Sequence, residues 1–123
     1  MLKSSAEACK PVQLFPPAAS LPLTKSPAQC TTKDDVRAEL DRIDQALLTL
    51  FAERHRYVTR MAQIKTDPHE ARDPARIEAV IAKVRDRSLA LDLDEDQAEL
   101  VWRTLIDWNI NYEKGIIAAR RRG

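Results

Sequence analysis

Two cations interrupt the apolar seam of a segment that reads as one long helix. Arg54 stands four residues from both Leu50 and Val58, so it takes a seam position and not the outer face. Lys65 follows eleven residues later, which at ~100° per residue leaves the two within about 20° of one another. They share a face, and the roughly 16 Å of rise between them narrows if both long side chains lean inward around one small anion. Arg37 precedes Arg54 by seventeen residues and points about 100° away. It is badly placed for the same pocket and well placed to reach that of a second copy.

Near the other end of the chain, Asn109 and Glu113 lie four apart on one helical face with Trp102, Ile106, Ile116 and Ile117. Between these regions Asp73 precedes Arg76, which falls in the first turn of a shorter helix. Arg37, Arg54, Lys65 and Arg76 thus form a cation set on two helices, with a hydrogen-bonding pair supplied by a third. A buried cation needs an acid or a bound anion, and guanidinium forks match carboxylate geometry. The chemistry implied is the holding of a small dicarboxylate. The plainer alternatives are cations that reach solvent or pair with neighbouring acids, a structural hydrogen bond at Asn109 and Glu113, and a solvated cluster at Arg72, Asp73 and Arg76.

Covalent catalysis has no obvious residue here. The sequence holds no Gly-rich phosphate loop, no serine nucleophile elbow and no paired Cys and His. Cys9 and Cys30 lack the companions of a zinc set, so no metal and no cofactor is expected.

The elements that must position these groups are helical. A chain of 123 residues with 44% hydrophobic and 32% charged residues, two Gly and 5% aromatics suits one small all-α domain. Residues 1–32 carry Pro11, Pro16, Pro17, Pro22 and Pro27 without periodicity and read as a flexible arm, leaving 33–120 as the folded domain. Thr32 can cap a helix over 34–65, with Asp34 and Asp35 in its first turn. Val36, Leu40, Ile43, Leu47, Leu50, Val58 and Met61 then repeat at helical steps. Such a helix is roughly 48 Å long, more than one small chain can cover, so two copies packed along their long helices are expected.

"TDPHEARDP" at 66–74 breaks the helix, because each residue before a proline is pushed out of helical conformation. A shorter helix resumes through Ile77, Val80, Ile81 and Val84. After "DLDEDQ" a last one carries Leu100, Val101, Leu105, Ile106, Ile110 and Ile116.

Twenty Lys plus Arg against nineteen Asp plus Glu leave a net charge of +1, which gives no field for nucleic acid or an anionic membrane. The terminal "AARRRG" reads as cations favoured at a helix C-terminus. No apolar run approaches the ~20 residues of a membrane span, and the leading segment has no secretory h-region. A cytoplasmic protein with free thiols is expected, and an exported form with a Cys9–Cys30 disulfide stays open.

Residues 34–118 resemble the all-α chorismate mutase family and its relative isochorismate-pyruvate lyase. The resemblance rests on Arg37, Asp44, Arg54 and Lys65 at their spacing, followed by "RDPAR". It implies three-helix protomers interlocked as a homodimer, with Arg37 reaching the other protomer's site. It implies that Arg54 and Arg37 clamp the carboxylates of chorismate, that Lys65 reaches a carboxylate and the ether oxygen, and that Asp73 and Arg76 close the site. Asn109 stands where the family often has a small polar residue, and Glu113 where it usually has Gln. Ile77 departs from many mutases, which place there a Glu for the ring hydroxyl; the lyase therefore stays in view.

The reaction implied is the Claisen rearrangement of chorismate to prephenate, on the way to Phe and Tyr. It needs no nucleophile and no cofactor. Lys65 and Glu113 would stabilise the oxygen of the breaking bond, Glu113 only when protonated, since a carboxylate cannot donate. A non-catalytic helical dimer that regulates or binds another protein would keep the same seam, but leaves the buried cations without a ligand.

Overall fold

Thr32 marks where the chain turns helical in the computed structural model, which describes residues 25–122. Its Oγ1 accepts from Asp35 N at 3.0 Å, and Asp35 Oδ2 accepts in return from Thr32 N at 3.2 Å. This reciprocal cap satisfies donors that a helix start leaves unpaired. Asp35 also accepts from Thr31 N and from Lys25 Nζ. These bonds, led by that from the Thr31 backbone, hold its carboxyl far below the usual range.

The order of elements is a 3-10 turn at Pro27–Gln29, α1 at Lys33–Ile64, a 3-10 turn at Pro68–Ala71, α2 at Pro74–Ala90 and α3 at Glu95–Arg122. Among the described residues there is no strand, as an all-α chain requires. Cys30 is a free, half-buried thiol; Cys9, the other half of the considered disulfide, and residues 1–24 of the expected arm lie outside the described residues.

The chain divides into two compact units within α1, after Leu48. In the first, the expected seam is not buried: Val36 is 44% exposed, Leu40 52%, Ile43 37% and Leu47 46%. Among the described residues of this unit, no second helix covers the apolar stripe. Ala62, in the second unit, is the buried residue of α1.

The second unit packs the rest of α1, α2 and α3. Tyr112 of α3 stacks on Trp108 at 5.4 Å between ring centroids and meets His55 of α1 at 4.6 Å. The Tyr112 hydroxyl shares a 2.8 Å hydrogen bond with Thr59. Ile81 of α2 and Ala98, Ile110 and Ile117 of α3 form the core, with Ile117 fully enclosed. Leu100 and Val101, expected on the apolar face of α3, are 69% and 45% exposed. Ile110 of the expected set is buried and Leu105, Ile106 and Ile116 are half-buried, with Ala98 and Ile117 joining them in the core.

A salt-bridge network locks α2 to α3. Arg103 grips both oxygens of Glu78 at 2.9 and 3.1 Å and holds Glu99 at 2.6 Å, while Arg85 holds Glu99 at 2.6 Å and Asp96 at 3.1 Å. Hydrogen bonds from Arg103 first, then Arg85, keep the Glu99 carboxyl below its ordinary value.

The turn between α2 and α3 explains "DLDED". Leu93 N donates to Ser88 O at 2.9 Å and Asp92 N to Leu89 O at 3.1 Å, with Asp92 at φ 58°. This pair of bonds closes a helix with one left-handed residue, a place Asp tolerates better than most side chains. Asp94 then caps α3, accepting from Asp96 N and Gln97 N.

Candidate active site

The break after α1 is itself built from caps. Asp67 accepts from His69 N at 2.9 Å, and Glu70 Oε1 reaches back to Thr66 N and Asp67 N at 2.8 and 2.9 Å. The segment expected as a plain loop is therefore a 3-10 turn with a reciprocal cap. Asp73 ends it by accepting from Arg76 N at 3.1 Å, with Pro74 at the first helical position of α2, where its missing N–H costs nothing.

These caps aim the chain into a cavity of about 600 Å³. Six predicted residues line it: Arg54 and Lys65 from α1 and the residue after it, Asp73 and Arg76 at the start of α2, and Asn109 and Glu113 from α3. Arg54 and Lys65, expected on one helical face, both line this cavity. Arg37 belongs to the other unit, where it is 69% exposed and lies 3.6 Å from Asp34.

At one end of the cavity Lys65 Nζ donates to Glu113 Oε1 at 2.8 Å. Their side chains are 20% and 10% exposed. Asn109, one turn before Glu113, is also buried. The guanidinium groups of Arg54 and Arg76 have no ion-pair partner among the described residues. Apolar walls come from Val58, Ile77, Val80, Ile106 and Ile110.

The arrangement can hold an anion of modest size. Glu70 and Asp73 direct carboxylate oxygens to backbone donors and Glu113 is paired with Lys65, so Arg54 and Arg76 are the lining cations without an ion-pair partner among the described residues. Arg forks take planar carboxylates in two parallel hydrogen bonds. Lys65 has three donors and uses one on Glu113, which leaves two for a ligand.

Sequence reasoning missed Glu70 and Tyr57 as cavity residues. Asp67 followed three residues later by Glu70 is a capping signature and was the available signal for the turn. Nothing along the chain marks Tyr57, 71% exposed, as a wall. Among the described residues no cluster of His, Cys, Asp and Glu could hold a metal, and no helix is long and apolar enough to cross a membrane.

Three helical segments thus surround a cavity lined by Arg54, Lys65 and Arg76 together with Glu70, Asp73 and Glu113. The chain belongs to the chorismate mutase type II family, whose sequence model matches residues 36–114. That match spans Arg37 and all six cavity residues named above. Comparison with curated proteins gives no match.

Proposed function

We propose that the protein is a chorismate mutase, converting chorismate to prephenate in the biosynthesis of Phe and Tyr. The observation that carries this reading is the part-buried Lys65–Glu113 pair, set in one cavity with two arginines that have no ion-pair partner among the described residues. Removing paired charges from water is costly, and a site that needs a directed ammonium group is a reason to retain them.

The Claisen rearrangement breaks a C–O bond and forms a C–C bond within one molecule, and no proton or electron leaves. The protein has only to hold the reactive chair conformer and to stabilise the oxygen that gains negative charge. Arg54 takes one carboxylate. Lys65 divides its two remaining donors between a carboxylate and the ether oxygen. Glu113, with its Oε1 already accepting from Lys65, donates to the ether oxygen when protonated. Asp73 acts by fixing the first turn of α2, which sets Arg76 at the mouth of the site.

The second carboxylate requires Arg37, and this makes the active form a homodimer. The exposed stripe of Val36, Leu40, Ile43 and Leu47 supports the same conclusion, since apolar surface of that extent favours association. Arg37 lies on that helix and would enter the partner's cavity.

Ile77 favours a second reading. It is a half-buried wall of the cavity, where a Glu would serve a ring hydroxyl. An isochorismate-pyruvate lyase, releasing salicylate and pyruvate, could use the same cations without that contact. Turnover of chorismate and of isochorismate, with Lys65→Ala as control, separates the two. Prephenate that disappears in the variant supports the mutase, salicylate the lyase, and silence on both substrates returns a non-catalytic helical dimer.

A further inference from the structure

Lys65 sits just past the last residue of α1, at a point where a helix is usually frayed. The last carbonyls of a helix have no partner within it and carry partial negative charge. α1 ends without a basic residue in its last turn and without a glycine to close it. Its final backbone bond runs from Lys65 N to Met61 O at 3.0 Å.

The missing cap comes from the far end of the chain. Arg120, in the last turn of α3, donates from Nη1 to Ala62 O at 2.9 Å and from Nη2 to Lys65 O. One planar group therefore spans the end of α1 and binds the backbone of Lys65 itself. Arg121 adds a longer contact of 3.9 Å to Asp67, which caps the 3-10 turn bearing Glu70. The terminal basic run, which in sequence reads as a complement to its own helix dipole, is applied to another helix.

We infer that Arg120 is a positioning residue for Lys65. The ammonium group hangs on a flexible stem of four carbons, and its aim depends on where the backbone begins. Glu113 directs the tip, and Arg120 fixes the root. Without Arg120 the Lys65 backbone frays and its ammonium is lost from the site part of the time. Arg120 lies outside residues 36–114, so the family match does not reach it.

The catalytic part of this inference rests on the mutase reading, and two measurements keep them separable. In Arg120→Ala, kcat on chorismate should fall about 10-fold with KM within about 2-fold, because a misplaced donor weakens the transition state more than binding. Millimolar guanidinium ion should restore part of the loss, and Arg120→Lys should lie between the two. Independently of any substrate, hydrogen exchange at the Lys65 amide should quicken at least several-fold in Arg120→Ala, while amides in the middle of α1 keep their protection. Unchanged exchange at Lys65 overturns the inference, as does a kcat loss that neither guanidinium nor Arg120→Lys repairs. If the wild-type protein turns over neither substrate, the mutase reading falls and the exchange measurement alone decides the role of Arg120.

Discussion

The ammonium of Lys65 and the carboxylate of Glu113 meet at 2.8 Å although 48 positions separate them in the chain. The half-buried ammonium gives the buried Glu113 its ion-pair partner. The pair leaves Lys65 with two further donors and Glu113 with one oxygen outside the contact, an oxygen that could donate to a ligand only if it carried a proton.

Glu113 can donate only as the acid, so turnover should rise as pH is lowered across the range in which the protein stays folded. In Glu113→Gln the amide donates at every pH, and the profile should flatten. Steady-state kinetics of both proteins on chorismate across that range make the comparison. A variant with the wild-type slope removes Glu113 from the proposed role.

Arg37 and Lys65 should complement across a dimer. Arg37→Ala and Lys65→Ala proteins should each be nearly inactive, as removal of one such donor costs about 10²–10³ in kcat. Unfolded together and refolded as an equal mixture, they should recover about a quarter of wild-type activity, since half the dimers are mixed and each of these has one intact site. No recovery would show that both residues serve a site within one chain, or that no exchange of arginines occurs.

Glu78 and Glu99 release their protons more readily in the folded protein, chiefly because of hydrogen bonds from Arg103. A depressed carboxyl stabilises the fold fully above its unfolded value, ordinarily 4.5. That contribution is lost as pH falls below it toward the folded value. Glu99→Gln should therefore lower Tm at neutral pH, and the gap from wild type should narrow as pH falls below the ordinary carboxyl range. Thermal unfolding followed by circular dichroism measures it. A gap that stays constant into acid would mean that the network contributes through shape and not through charge.

The helices were legible in the sequence because their causes are local. Spacing of apolar residues, Thr32 with Asp35, and Pro74 after Asp73 act within a few positions, and α1 begins and ends within one residue of its expected bounds. The common face of Arg54 and Lys65 followed from helical geometry alone. Covering of the seam was not a local matter. Val36, Leu40, Ile43 and Leu47 carry the right pattern, yet they remain exposed because burial needs a second surface.

What the sequence by itself determined is the set of helices, their caps and the angular placement of each cation on its own helix, since dihedral preferences and capping hydrogen bonds involve near neighbours. Only the tertiary structure decided which of those groups meet. The pairing of Lys65 with Glu113, the turning of Glu70 and Tyr57 into cavity walls, and the reach of Arg120 to the carbonyls of Ala62 and Lys65 join positions dozens of residues apart. Such contacts depend on how helices rotate and cross as they pack, a choice made by the whole core at once and written in no single stretch of chain.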